Sequence, residues 1–275
     1  MERSEMKNLK LNYHMLESCN YKCKFCFAKY ANKPKLKYDQ MKLVIEKTAE
    51  CGYFTGINFA GGEPLLIPEI SDLIQFAKEK GLTTSVITNG FFLTNEKLDS
   101  MLPYLDCIGI SVHSVCDDIK IELGSCTKMK QVLSNERLRE ICNYIREKST
   151  CKIKINTVVN SLNKDEIFRP FINELGIDRW KILRCQSFGK NNDMCISDEE
   201  WNAFCKRNGG LYNSVFENNM KDTYIMVNPA GDLVKEGEDC NSYEEIGSVL
   251  DEGMEDLLLR HPLHIDEYHS RYAVA

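Results

Sequence analysis

The sequence lacks the features that mark several classes of protein. Its 275 residues contain no apolar run near the roughly 20 residues that cross a bilayer. Residues 1–10 have neither the apolar stretch of a signal peptide nor an apolar face for an interfacial helix. Lys and Arg number 35 against 41 Asp and Glu, so the basic surface typical of nucleic-acid-binding proteins is missing. We therefore expect a cytoplasmic monomer with no membrane or nucleic-acid partner.

Cysteine, by contrast, is abundant. The chain has 13 cysteines, an odd number, and carries no recognisable export signal. A disulfide framework is typical of short secreted chains, whereas free thiols are typical of reducing compartments. We expect most of these cysteines to act as small buried apolar residues.

Strand-like and helix-like segments alternate over the first two thirds of the chain. Six short apolar runs predict strands at residues 11–16, 56–60, 84–88, 106–112, 152–159 and 179–184. Helices are predicted at residues 39–51, with Asp39 as N-cap, and at 68–80, 94–102, 130–147 and 164–175. This order predicts parallel βαβ units that curl into a partial or full barrel. Later, we predict a loop at 186–196, a helix at 197–207 and a strand at 223–227.

Three cysteines lie close together after the first predicted strand. Cys19, Cys23 and Cys26 have the spacing C-x3-C-x2-C, at a strand end where α/β folds place their active sites. A structural zinc site normally has four ligands, and no second cysteine pair is present. A cubane iron–sulfur cluster held by three cysteines would leave one iron open. A zinc site remains the alternative at this point.

This spacing, with Phe25 just before the last cysteine, resembles the radical S-adenosylmethionine superfamily. The resemblance implies that Cys19, Cys23 and Cys26 bind a 4Fe–4S cluster. It also implies that S-adenosylmethionine coordinates the open iron, with Phe25 among the cofactor-binding residues.

Other strand ends resemble the cofactor-binding positions of the same superfamily. Gly61, Gly62 and Glu63 follow the second predicted strand, where the superfamily binds the methionine amino group. Glycine permits close backbone approach, and a carboxylate balances an ammonium group. Asn89 follows the third strand and Ser111 ends the fourth, at positions that resemble those binding the ribose and carboxylate of the cofactor.

Most of the chain resembles the viperin family of nucleotide dehydratases. The likeness runs from about residue 11 to residue 227 and includes the segments 12–14, 57–59, 154–160, 179–181 and 220–224. The implied fold is α/β, a partial (β/α)6 barrel of the radical S-adenosylmethionine type. The implied core covers residues 5–228, and a C-terminal extension, residues 229–275, packs on it within a single structural domain.

The resemblance also implies a reaction. A viperin-like dehydratase converts a ribonucleoside triphosphate to its 3'-deoxy-3',4'-didehydro form, a chain terminator used in antiviral or antiphage defence. The reaction requires a one-electron reductant of the flavodoxin or ferredoxin type. Tyr224 matches a tyrosine proposed to supply the final hydrogen, which makes it the implied catalytic residue.

Basic residues on two predicted strands suit phosphate groups. Because side chains alternate along a strand, Lys154 and Asn156 share one face, as do Arg179 and Lys181. If these faces point into the barrel, they form a positive pocket for phosphate oxygens. If they point outward, they are ordinary solvated side chains. Together with Asn12, these four are the predicted substrate-binding residues.

The sequence departs from the animal viperins at several positions. They carry lysine where this chain has Gly56, arginine where it has Ser125, and aspartate where it has His113. The pocket therefore lacks two of their positive groups. Three basic residues are candidates to replace these positive groups: Lys128, Lys130 and Arg184.

Two other functions stay open at this stage. One is a radical enzyme acting on a peptide, an RNA or a cofactor precursor. The lone cysteines Cys205 and Cys240 argue against the auxiliary clusters of peptide-modifying enzymes, and the net charge of −6 argues against RNA. The other is a non-catalytic protein that binds a metal or a nucleotide.

Overall fold

The structure, a computed structural model, describes residues 6–188, 192–211, 213–218, 223–237 and 242–273. Its strands are β1 (Leu9–His14), β2 (Phe54–Ala60), β3 (Thr83–Thr88), β4 (Cys107–Ser111), β5 (Lys152–Val159), β6 (Arg179–Arg184), β7 (Ser214–Glu217), β8 (Ile225–Val227), β9 (Asp232–Glu236) and β10 (Tyr243–Ser248). They form a single sheet in the order β10-β9-β8-β1-β2-β3-β4-β5-β6-β7.

The sheet is mostly parallel. Strands β1 to β7 pair in parallel with their neighbours, and β8 pairs in parallel with β1. Among the described strands, β9 alone runs in the opposite direction, and it pairs antiparallel with β8 and with the edge strand β10. All six strands predicted in the first two thirds of the chain are confirmed, and β5 and β6 have the predicted bounds. The sheet continues through β9 and β10, so the proposed division at residues 228 and 229 stays a prediction.

The helices lie mainly in the connections between the strands. They are α1 (Tyr38–Glu50), α2 (Ile70–Glu79), α3 (Asn95–Met101), α4 (Asp117–Glu122), α5 (Asn135–Lys148), α6 (Arg169–Leu175), α7 (Asp198–Asn208), α8 (Met254–Leu259) and α9 (Ile265–Ala273). Among the described residues, none of these helices has the length and apolar character needed to span a bilayer.

Three predicted helix starts are wrong. Lys37 is the N-cap of α1, so Asp39 lies inside the first turn, where its charge favours the helix dipole. Helix α5 begins five residues late because Lys130 has a φ of 58° and Ser134 is the N-cap. Helix α6 starts at Arg169 rather than at residue 164, and Pro170 occupies its first turn.

Alternation along the strands separates an apolar layer from a polar interior. In β4, Ile108 and Ile110 are fully buried in the main core, whereas Cys107 and Ser111 face a cavity on the other side of the sheet. Trp180 of β6 is also a core residue, and its indole N–H donates to Thr157 Oγ1 over 3.0 Å.

Contacts between the two ends of the sheet show that it curls into a partial barrel. Tyr224, just before β8, donates to Glu217 of β7 over 3.0 Å. Phe188, after β6, packs against Tyr243 of β10 with ring centroids 5.1 Å apart. The polar face of the sheet is therefore turned inward.

Candidate active site

The inner faces of the strands line a cavity of about 910 Å³. It extends from the carboxyl ends of the strands, at Thr88 and Asn89, to their amino ends, at Thr83 and Lys152. Every predicted site residue except Glu63 is part of its lining. The predicted inward face of Lys154 and Asn156 is therefore confirmed, and the solvent-facing alternative is wrong.

The three cysteines of the C-x3-C-x2-C segment lie together at the carboxyl end of the cavity. All three thiols are free, and each contributes to the lining. Burial, together with the charges of the other thiols in the segment, raises the pKa of Cys19 to about 11 and that of Cys23 to about 12. Such groups are neutral until a cation replaces the protons, and thiolates are strong ligands for iron.

Two glycine-containing loops hold the cysteine segment from opposite sides. Gly62 N–H donates to the Leu16 carbonyl over 2.7 Å, and a Cβ on Gly62 would lie only 2.1 Å from the Ser18 carbonyl oxygen. On the other side, Lys22 N–H donates to the Gly124 carbonyl over 3.0 Å. A side chain at either glycine would push the cysteine segment out of place.

Asn89 connects the third strand end to the cysteine segment. Its Nδ2 donates to Asn20 Oδ1 over 2.7 Å and lies 3.7 Å from Cys19 Sγ. Its backbone N–H donates to Glu63 Oε2 over 2.8 Å. Asn89 can therefore present polar groups beside the first cysteine.

Glu63 is fully buried behind the cavity wall. Its carboxylate accepts from Thr88 Oγ1 over 2.7 Å and from the N–H groups of Leu65 and Asn89. Burial raises the pKa of Glu63 to about 7, against the opposing effect of these hydrogen bonds. Through these hydrogen bonds Glu63 connects the carboxyl ends of the second and third strands. Its contact with the cofactor stays a prediction.

An aromatic contact lies on the other side of the cysteine segment. The Phe25 ring packs edge-on against His113, with centroids 4.6 Å apart. Val158 N–H donates to His113 Nδ1 over 3.1 Å, and burial lowers the pKa of His113 to about 4, so the imidazole is neutral. Ser111, paired in register with Asn156, lines the cavity nearby.

The donor set fits an iron–sulfur cluster better than a single ion. Within the described part of the chain, no three His, Cys, Asp or Glu side chains converge as a site for one metal ion. In a cubane cluster each cysteine binds a different iron, so the three thiols need not meet at one point. This arrangement argues against the zinc alternative, although Cys240 lies outside the described residues.

A polar ladder crosses the middle of the cavity. Asn58 Nδ2 donates to Asn12 Oδ1 over 2.9 Å, and Ser85 Oγ donates to Asn58 Oδ1 over 2.9 Å. Asn156 also lines this region, and its buried Nδ2 has no hydrogen-bond partner among the described residues. Buried amide donors are normally satisfied, so this group is suited to a ligand acceptor.

The far part of the cavity is strongly basic. Lys154 and Arg179 are paired in register on β5 and β6. Desolvation and the charges of Lys181, Arg179 and Lys10 lower the pKa of Lys154 to about 8. Cations that are partly desolvated and repel one another form a natural anion site.

Lys181 differs from the other cations because a carboxylate accompanies it. Its Nζ lies 2.8 Å from Glu217 Oε1, and it donates to Tyr224 Oη. The Tyr224 hydroxyl donates in turn to Glu217 Oε2 over 3.0 Å. The predicted catalytic tyrosine is therefore fixed by an ion pair. Residues 220–222 of the predicted motif lie outside the described residues.

Several site residues were not found from the sequence. Lys10 and Glu217 were missed because they lie on strands far apart in the chain and no local motif surrounds them, whereas His14 belongs to the matched segment 12–14 but was given no role. The candidate replacements for the missing cations fail. Lys128, Lys130 and Arg184, all within the described chain, lie outside the cavity lining, and Arg184 pairs instead with Asp198 over 2.5 Å.

Comparisons with known proteins agree with this geometry. The model of the radical SAM superfamily matches residues 13–169. The S-adenosylmethionine-dependent nucleotide dehydratase of Selenomonas ruminantium is 35% identical over 274 residues, covering 96% of this chain and 98% of that protein. A protein of the same name from Flammeovirga pacifica is 35% identical over 238 residues, covering 80% of each chain.

Solved structures agree in fold. Streptococcus suis SuiB bound to S-adenosylmethionine has a TM-score of 0.69 at 16% identity, covering 97% of this chain and 68% of SuiB. The enzyme anSMEcpe with bound AdoMet has a TM-score of 0.67 at 14% identity, covering 96% of this chain and 82% of that chain. The chain thus belongs to the radical SAM superfamily and, within it, to the S-adenosylmethionine-dependent nucleotide dehydratases.

Proposed function

We propose that this protein dehydrates a ribonucleoside triphosphate to its 3'-deoxy-3',4'-didehydro form. The observation that carries the proposal is a single cavity with three thiols at one end and a group of cations at the other. A nucleotide placed with its phosphates on the cations would have its ribose between the two ends, beside the polar ladder. The named activity of the relatives supports the same reaction.

The cofactors belong to the superfamily, whose members use a 4Fe–4S cluster and S-adenosylmethionine. Cys19, Cys23 and Cys26 would hold the cluster. When bound, the two cofactors supply the radical chemistry that removes a hydrogen atom from the ribose. The glycine loop at Gly62 and the amide of Asn89 would orient S-adenosylmethionine beside the cysteines.

The chain's own residues would then orient the substrate. Lys154 and Arg179 bind phosphate oxygens by charge-assisted hydrogen bonds, and Asn156 offers its unpartnered Nδ2. In the overall reaction the ribose loses its 4' hydrogen, and the 3' hydroxyl leaves as water. One electron and one proton then complete the product.

Tyr224 is the proposed source of that final hydrogen. Its hydroxyl lies between Lys181 and Glu217, which hold the oxygen in one place. A one-electron reductant of the flavodoxin or ferredoxin class then returns one electron, and with a proton from solvent this restores Tyr224.

The wider setting is also part of the proposal. The 12 described cysteines are free thiols, which supports a reducing compartment such as the cytoplasm. We propose a monomer acting on a small nucleotide, without nucleic-acid or membrane partners. The role is defence by a chain-terminating nucleotide. The core is residues 5–228, and residues 229–275 form an extension.

The test is an anaerobic assay of the cluster-loaded protein with dithionite and S-adenosylmethionine. Each of the four ribonucleoside triphosphates is added separately, and 5'-deoxyadenosine and nucleotide products are measured by mass spectrometry. We expect 5'-deoxyadenosine to rise with one nucleotide, together with a product lighter by one water. Equal, slow 5'-deoxyadenosine formation with every nucleotide and with none would refute the proposal.

A further inference from the structure

The cations at the far end of the cavity come from three different strands. Lys154 on β5 and Arg179 on β6 were expected from the sequence, whereas Lys10 on β1 was not. Arg179 and Lys152 lower the pKa of Lys10 by repulsion, while Cys107 and Asp106 raise it, and desolvation is the largest cause of the net lowering. Lys10 and Arg179 both lie near the amino ends of their strands and line the same cavity.

A missing side chain on the neighbouring strand makes room for Lys10. Lys10 pairs in register with Gly56 of β2. A Cβ on Gly56 would lie 3.4 Å from Lys10 Cγ and only 2.3 Å from Thr83 Oγ1. The volume that a side chain at position 56 would need is thus already occupied by Lys10 and Thr83.

The same arrangement recurs across the barrel. Lys154 lies over Gly109 of β4, where an added Cβ would be 3.0 Å from Lys154 Cε. Glycine within a strand weakens the sheet and often marks a close approach by another group. In both places a strand glycine gives room to a lysine whose side chain lines the cavity.

Two of the carboxylates that line the cavity have partners other than these cations. Asp106 accepts from Lys78 Nζ over 2.6 Å, and Asp178 accepts from Ile153 N–H over 2.7 Å. Lys181, with Glu217 beside it, contributes little net charge. Besides Lys181, the lining at this end holds four basic residues, Lys10, Lys152, Lys154 and Arg179, so it is rich in positive charge.

We propose that Lys10 binds the polyphosphate of the substrate and makes the site selective for a triphosphate over a monophosphate. This inference rests on the proposed function, because it specifies which part of the nucleotide the far end of the cavity recognises. Cations on β1, β5 and β6 surround that end, so a chain of phosphates can contact several of them. A single phosphate cannot span the same set.

The test is calorimetric titration of the cluster-loaded full chain in the presence of S-adenosylmethionine. The ligands are each ribonucleoside triphosphate, the matching monophosphate and inorganic tripolyphosphate, which carries no base. For Lys10→Met we expect about a tenfold loss of affinity for triphosphates and tripolyphosphate, and less than about a twofold loss for monophosphates. Lys10→Arg should restore most of the affinity, because it keeps the charge.

Two controls keep the result interpretable. Lys148→Met removes a lysine from the exposed face of α5 and should change no affinity. Lys10→Gln serves as a second variant should Lys10→Met fold poorly, with thermal unfolding as the check. Equal losses for triphosphate and monophosphate, or no loss at all, would overturn the inference, as would a wild-type protein that does not prefer tripolyphosphate over monophosphate.

The outcomes also separate this inference from the proposed function. Lys10-dependent triphosphate binding without any dehydrated product would contradict the dehydratase and leave the role of Lys10 intact. If the wild type forms dehydrated product and Lys10→Met binds the triphosphate normally, the proposed role of Lys10 is wrong and the proposed dehydratase activity stands.

Discussion

At the residue scale, Tyr224 shows how an ordinary side chain acquires a specific environment. A tyrosine near a late strand is often only a packing residue, yet here Lys181 and Glu217 contact its hydroxyl from two sides. The ion pair beneath the phenol fixes the oxygen inside the cavity. That geometry supports the proposed role of Tyr224 as a hydrogen donor.

Tyr224→Phe should therefore separate hydrogen abstraction from product formation. The ring still packs, but the hydroxyl is gone. We expect dehydrated product to fall by about 10²-fold, while 5'-deoxyadenosine continues to form. The ratio of the two compounds is the measurement. Tyr144→Phe, which removes an exposed hydroxyl bonded to Asp99, is the matched control. An unchanged ratio in Tyr224→Phe would remove the tyrosine from the mechanism.

Lys154 gives the site a predicted pH dependence. Its pKa is lowered to about 8 by desolvation and by the charges of Lys181, Arg179 and Lys10, partly offset by Cys107. Lysine binds phosphate as an ammonium ion, so affinity is full below this pKa and falls as pH rises through it. We expect KM for the nucleotide to rise by up to about tenfold as the pH increases through the pKa of Lys154.

Two variants test whether Lys154 is the group that causes this pH dependence. Lys154→Met should bind weakly at every pH and lose the dependence on pH near 8, whereas Lys148→Met should retain the wild-type profile. Should Lys154→Met keep the wild-type profile, another group is responsible.

At the scale of elements, the cysteine segment depends on the loops that hold it. Gly62→Ala would place a Cβ 2.1 Å from the Ser18 carbonyl oxygen, a backbone atom that cannot move away alone. We expect a loss of about 3 kcal/mol in the free energy of unfolding, and reduced iron content after reconstitution. Denaturant titration and iron analysis are the measurements.

Gly253→Ala provides the comparison for Gly62→Ala. Gly253 has a φ of −72°, and its added Cβ meets only Asp256 Oδ2 at 3.4 Å. It should lower stability by no more than about 1 kcal/mol, the usual difference between Gly and Ala at an N-cap. Equal effects of the two substitutions would show that the contact at Gly62 is not special.

The elements also show what the sequence can and cannot reveal. The strands β1 to β6 were predictable because each is a compact apolar run followed by a helix. Strand β7 has only four residues, and β10 alternates poorly, with exposed Glu244 and Glu245, so neither pattern indicates a strand. The start of α5 was missed because the left-handed conformation at Lys130 cannot be read from residue type.

Some residues of the candidate site could be predicted from the sequence, and others could not. The cysteines, the glycine loop and Asn89 were predictable because they form local motifs at successive strand ends. Lys10 and Glu217 were not, because their importance arises from contacts with residues distant in the chain. Whether a lysine on a strand faces inward depends on the register of its neighbours, here the pairing of Lys10 with Gly56.

At the scale of the whole molecule, the curled sheet joins two separate chemistries in one space. The carboxyl ends of the strands provide thiols, and the inner faces toward the amino ends provide cations. A substrate that spans the cavity must therefore be an anion at one end and reactive near the other. A ribonucleoside triphosphate has this shape and charge.

The most direct test uses the substrate nucleotide with deuterium at the ribose 4' position. The cluster-loaded protein is incubated anaerobically with S-adenosylmethionine and reductant, and the 5'-deoxyadenosine is examined by mass spectrometry. We expect one deuterium to be transferred into 5'-deoxyadenosine and the nucleotide product to lack it. Unlabelled 5'-deoxyadenosine alongside a nucleotide that keeps its deuterium would contradict removal of the 4' hydrogen from the ribose.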